Sequence, residues 1–392
     1  MQLINTLGTK ITAFITSEDT EKPILQLSIA FDELFASVDI PILMLSFLAA
    51  GCYEEILIPT EDKDPVLVMN AQMDNLEDVH VVNLSLSRLS KVEPLPGATV
   101  KVYVNGTFVA QAVEMVEQDP WNRTKYAFEA EFHPGDEVRI EAVKDAFNAT
   151  STAVVPQPAA IESIDTSSVR MTYLDSSTDY LQLKVRFKDL PGDTWYGVDH
   201  CISDRWEYLD EEGNTSPEYT AVSESRGALD TGYDPVISEG SGKTAGSDLA
   251  ALLSVENYFN CFADTPIADQ ECTLRVMVYS WYFYLSEYRY GIYVPEWMNN
   301  NPDAWSILTA MPVRIHRRCT FRLRTLDFSQ YHYLKALNNL ETFGTEVNFL
   351  VEPTTLPSNV EGGLGFVGIE TITEMTYATF DREYGPEDMV YY

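Results

Sequence analysis

A mostly β protein is what this sequence predicts, on three observations. Segments of alternating apolar and polar residues recur at roughly 8–15-residue spacing. Turn signals stand between them, and the clear helical apolar spacing falls in one stretch, residues 327–340. Together they predict an N-terminal immunoglobulin-like β-sandwich, then a larger β-rich domain carrying one C-terminal helix.

Composition narrows the function. The chain has 392 residues, a net charge of −34 and 45% hydrophobic residues. That is a globular composition with room for two domains. The acidity argues against nucleic acid as a partner, because phosphate binding needs clustered Lys and Arg.

Residues 40–51 carry no charge and end in Leu48-Ala49-Ala50-Gly51 before Cys52. The run is shorter than the about 20 residues a membrane span needs, and it fits the apolar region of a secretory signal. The segment resembles a bacterial lipobox, with small residues for the peptidase cleft and Cys52 as the thiol that takes the acyl (palmitate) anchor. Glu54 and Glu55 follow and resemble the surface-export signal of Bacteroidota lipoproteins. The positive segment that usually precedes such a run is missing, since no Lys or Arg lies between Lys22 and Lys63. The expected reading is an over-extended start plus lipoprotein signal peptide over 1–51, and a lipidated tether over 52–64.

The sandwich is expected over 65–155. Residues 66–72 and 79–87 read as strands. Residues 98–104 and 107–116 flank Asn105-Gly106, a strong hairpin signal. Residues 126–132 and 137–143 complete the set, and Pro156 and Pro158 mark the way out.

The second domain is expected over 160–392. Residues 160–164, 171–173, 181–187 and 195–198 read as strands. Residues 204–248 are acidic and rich in Gly, Ser and Thr, and read as a long loop. Residues 273–285 and 313–323 are further strands. The helix is predicted to be capped by Asp327, with Gln330 at its third position as in a capping box. Phe328, Tyr331, Leu334 and Leu337 form its apolar stripe.

The helix sequence Asp327-Phe328-Ser329-Gln330-Tyr331-His332-Tyr333-Leu334-Lys335-Ala336-Leu337 resembles the tyrosine-rich helix of the Bacteroidota lipoproteins grouped as domain-of-unknown-function family 4249. Pro357-Ser358-Asn359-Val360-Glu361-Gly362-Gly363-Leu364-Gly365-Phe366 is similar to that family's closing stretch. Gly97-Ala98-Thr99-Val100-Lys101-Val102 resembles a strand of its first domain. The resemblance implies a β-rich outer-membrane lipoprotein working beside a TonB-dependent transporter, and it brings no catalytic residues. Gly362, Gly363, Gly365 and Gly368 read as structural, letting Phe366 and Val367 pack as a last strand.

Motifs for chemistry are thin. Ser241-Gly242-Lys243-Thr244 resembles the end of a phosphate loop, but Ile237 stands where the first glycine belongs. The histidines form no metalloprotease pattern, and no nucleophile elbow occurs. His200 beside Cys201 reads as a surface histidine next to a disulfide cysteine. Cys261 and Cys272 bracket a polar loop and are the expected disulfide in an oxidising envelope. Asp74, Glu77 and Asp78, like Asp210 to Asn214, offer oxygen ligands but lack the spacing of a calcium loop. No metal and no cofactor is expected.

Two surfaces are candidates for a ligand or partner. Tyr282, Tyr284, Tyr288 and Tyr290, extended by Trp297, form an aromatic face that either binds or is buried. Arg314, Arg318, Arg322 and Arg324 form a positive stripe along one strand. They meet either the chain's own carboxylates or an outside anion, such as lipopolysaccharide phosphate or an acidic transporter surface. The expectation is a non-enzymatic protein on the outer face of the outer membrane, held by lipid, binding a solute or partner beside a TonB-dependent β-barrel. The alternative is a structural or adhesive envelope protein.

Overall fold

The structure, a computed structural model, describes residues 10–16, 24–30, 64–87, 92–116, 119–173, 176–209, 215–239, 256–268, 270–279, 290–292, 312–343, 356–383 and 389–391. The expected anchor residues Cys52, Glu54 and Glu55 lie outside this set. Two compact units are present. In one, β1 (Lys10–Thr16) pairs antiparallel with β2 (Ile24–Ala30). The other comprises Val66–Leu86 and Val92–Tyr392 and holds the remaining described elements.

The described residues are mostly β, as predicted, with one helix among them, near the C-terminus. A ten-stranded sheet is built from β3 (Val66–Met73), β4 (Val79–Ser87), β5 (Val92–Pro94), β6 (Thr99–Val104), β7 (Thr107–Glu114), β8 (Thr124–Glu129), β9 (Glu137–Lys144) and β10 (Phe147–Val154), joined by two late strands, β20 (Val360–Glu361) and β21 (Val367–Ile369). Alternation explains most of it. In β9, Val138, Ile140 and Ala142 are buried and their neighbours are not, which is the period-two pattern of a half-buried strand. The β6–β7 hairpin turns on Asn105 and Gly106, whose φ angles of 49° and 76° suit the tight turn their dipeptide announced. Leu67, Met69, Val82, Leu84, Tyr126 and Ile140 lie at the centre of the core these strands enclose.

Two further sheets face each other. One holds β11 (Ile161–Tyr173), β12 (Ser176–Lys188), β15 (Leu229–Asp230) and β17 (Glu271–Tyr279). The other holds β13 (Trp195–Leu209), β14 (Thr215–Arg226), β16 (Cys261–Ala263), β19 (Pro312–Leu326) and β22 (Thr371–Glu383). Leu183, Val185 and Leu274 from the first meet Tyr196, Val198, Phe321 and Leu323 from the second in a shared core. A short parallel pair, β18 (Tyr290–Ile292) with β23 (Met389–Tyr391), completes the described strands.

Three expectations are corrected. The stretch beginning at Asp204, read as loop, continues β13 and returns as β14 from Thr215 to Arg226. β14 is an edge strand whose described side chains, Val222 to Arg226, are exposed, so hydropathy gave no strand signal. The short strands read at 160–164 and 171–173 are one continuous strand, β11. The disulfide is absent: Cys201, Cys261, Cys272 and Cys319 are all free and buried. Cys261 is on β16 against β13, and Cys272 is on β17 against β12, so the intended pair belongs to different sheets.

Candidate functional site: a cavity between the helix and the closing loop

The helix α1 (Phe328–Phe343) begins where the sequence placed it. Asp327 accepts the backbone N–H of Gln330 at 2.7 Å, a regular N-cap. The reciprocal half of the capping box is not made. Gln330 is buried, and its Nε2 instead donates to Glu370 at 2.7 Å. One face of α1 packs on the β13–β16 end of the sheet: Leu334 and Leu337 lie near Cys261 and Trp195. The Trp195 ring stands edge-on to Phe328 at 5.1 Å. Buried Asn338 reaches Asn257 and the N–H of Phe259. Ser329, His332, Lys335, Ala336 and Asn339 lie on the remaining face.

The closing loop is fixed with equal care. Asn359 acts as a piece of backbone, accepting the N–H of Val367 at 2.9 Å and donating to its carbonyl at 2.7 Å. Ser151 donates to the carbonyl of Asn359. Gly365, at φ 114°, passes so close to β3 that a Cβ would collide with the carbonyl of Met69. That approach lets β21 pair parallel with β3, while Met69 and Ala71 donate to the carbonyls of Leu364 and Phe366. Phe366 is buried, and its ring stacks on Tyr333 of α1 at 4.3 Å, nearly parallel.

Between the open face of α1 and Pro357, Ser358, Asn359 and Phe366 lies a cavity of about 560 Å³. Its described walls come from two of the three segments that carry the family resemblance. Phe328 is 55% exposed at its edge and has the His332 ring 4.1 Å away. The wall thus offers aromatic surface, hydroxyl and amide groups, and the basic side chain of Lys335. Sequence reading quotes most of these residues only as parts of the family resemblance and assigns them no site; their meeting is a tertiary fact.

The arginine stripe is placed by β19. Arg314 pairs with Glu383. Arg322 bonds Glu374 at 2.6 Å and Glu224 at 2.7 Å. Burial opposes its charge, but those two carboxylates outweigh it and hold its pKa above the ordinary value. Arg324 is 5% exposed, so it lies inside the protein. It bonds Glu370 at 2.8 Å and has Asp199 at 3.4 Å. Arg317, on the apolar face, is matched by Asp204 at 2.6 Å. Arg318 is exposed, and its charge helps lower the pKa of Glu224, where burial acts the other way. The chain's own carboxylates, on β13, β14, β22 and the approach to β22, are what most of the stripe meets. Of the aromatic face, Tyr282, Tyr284, Tyr288 and Trp297 lie outside the described residues, and Tyr290 opens β18.

His200 is not on the surface. It is 1% exposed, with its Nε2 2.7 Å from the Tyr377 hydroxyl. Burial pushes its pKa down to about 4. Burial, reinforced by Glu224, pushes the Cys201 thiol up to about 12, so the pair holds neither a thiolate nor an accessible base. In the 74–78 cluster, Asp74 accepts the N–H groups of Leu76 and Glu77, and Asn75 bonds both backbone groups of Ile372. Among the described residues no group of three or more His, Cys, Asp or Glu is placed to hold a metal ion.

A protein-family model described as Domain of unknown function (DUF4249) matches residues 53–376. No curated protein matches the chain.

Proposed function

The chain belongs to the DUF4249 family, and from that premise we propose that it is a non-enzymatic lipoprotein of the outer-membrane surface that binds a solute or partner beside a TonB-dependent transporter. The observation that carries the binding half is the cavity of about 560 Å³ between α1 and the closing loop. Its size is that of a small-molecule site, and aromatic rings with a few fixed polar groups are the usual lining of one. The anchoring half rests on the lipobox ending at Cys52.

The test is a pull-down from membranes of the native organism in mild detergent, with Cys52→Ala as control. A stoichiometric β-barrel in the wild-type eluate, lost with the anchor, supports the accessory role. Wild-type protein that is soluble and unlipidated overturns the reading. One observation favours the structural or adhesive alternative: β7 and the turn after it expose Phe108, Val109, Val113 and Trp121, the last at 71%. Large exposed apolar side chains gathered in one hairpin favour a contact surface there. Retention on matrix material with no β-barrel partner supports that alternative.

A further inference from the structure

We propose that the cavity between α1 and the closing loop selects an organic anion: a small carboxylate- or phosphate-bearing molecule with an apolar body. The inference rests on reading the cavity as a binding site and adds the chemistry of the ligand. Acidic side chains outnumber Lys and Arg by 60 to 26 along the chain. The described part of the cavity wall departs from that balance: its lining includes no carboxylate and does include Lys335, which Glu239 pairs from outside the lining, and His332. A chain this acidic repels anions over most of its surface, so a wall whose described residues carry no carboxylate is a place where an anion meets less opposition.

Lys335 is held in place without being used up. Its Nζ donates to Glu239 at 2.6 Å. The same carboxylate also accepts the Tyr331 hydroxyl at 2.9 Å and the N–H of Ala263 at 3.0 Å. Glu239 thus spreads its charge over three donors, while an ammonium has three protons to give. The arrangement fixes the lysine stem along the wall and leaves donors for a ligand. Ser329, Asn339 and Ser358 add neutral hydrogen-bonding groups, and none of them repels an anion. Phe328, more than half exposed, gives the apolar body a ring face to lie against.

The test uses the purified full chain and two fluorescent probes with the same aromatic body. One is anionic, 8-anilinonaphthalene-1-sulfonate; the other is neutral, N-phenyl-1-naphthylamine. The quantity read is the saturable binding that Ala336→Trp removes, because a tryptophan there fills the cavity. The anionic probe is expected to bind more tightly than the neutral one. Lys335→Gln should weaken the anionic probe by at least about tenfold, as loss of a charge-assisted bond requires. His332→Gln should weaken it less, and both variants should leave the neutral probe unchanged. Lys335→Arg should retain the preference. Equal affinities for the two probes, with the charge variants silent, overturn the anion preference and leave the binding cavity standing. Binding of neither probe that responds to Ala336→Trp overturns the cavity reading itself.

Discussion

His200 shows how far a residue's neighbours decide its chemistry. Sequence position put it beside a cysteine among polar residues, and it read as surface. Its strand, β13, is central in its sheet, so alternation carries the side chain inward. Gly227 leaves the ring its room, since a Cβ there would collide with Nδ1. The imidazole is therefore kept neutral, with its pKa lowered to about 4 by burial. An unfolded chain binds that proton near pH 6.5. Between those values the unfolded state takes up a proton that the folded state refuses. The histidine's contribution is complete above about pH 6.5 and is lost as pH falls toward 4, by about 3 kcal/mol in all. Urea unfolding at pH 7 and pH 4.5 should show a smaller loss in His200→Gln than in wild type. Identical losses would sink the claim. The glycines make a second residue-scale prediction. Gly365→Ala meets both a left-handed φ and the Met69 carbonyl, and should cost more than about 2 kcal/mol. Gly106→Ala has positive φ but nothing within 4 Å, so it should cost about 1 kcal/mol. Thermal melts of the two variants compare them directly.

Elements were legible where a single physical signal dominated. β9 and β19 announced themselves because one face is apolar and the other is not. The helix announced itself through Asp327 and its stripe. Asp327→Ala should destabilise the protein by about 1 kcal/mol, the usual value of such a cap, measured by chemical denaturation. Gln330 was misread because a capping box is a local motif, whereas its side chain answers to Glu370, 40 residues away. β14 was missed because an edge strand is specified by its neighbour's backbone and not by its own hydropathy. The cavity was invisible for a related reason. Phe328, His332 and Lys335 are spaced as a helix face, but nothing in the sequence says that the glycine loop will stand opposite them.

At the scale of the whole molecule, the closing segment joins what the sequence separates. The sequence reads it as structural and as a last strand; β21 is a strand, but β22 and β23 follow it. The partner of β21 is β3, near the other end of the described unit. One residue past β21, Glu370 connects three places. Its N–H donates to the Met73 carbonyl at the end of β3. Its carboxylate accepts Arg324 of β19 and Gln330 of α1. Arg324 is nearly fully buried, and burial alone would lower its pKa; Glu370 and Asp199 reverse that and raise it. Removing one partner leaves an uncompensated buried charge, and that is the expensive event, not the loss of attraction. Arg324→Met should therefore cost about 3–5 kcal/mol, and adding Glu370→Leu should recover much of it. Because Glu370 touches both the ten-stranded sheet and the sheet built on β19, the loss should reach both. Hydrogen exchange under mild urea tests this: in Arg324→Met the amides of Met69 and Ala71 should lose protection together with those of β19. If β19 alone becomes labile, the two sheets are held together by something other than this buried cluster, and the closing segment is a cover and not a clasp.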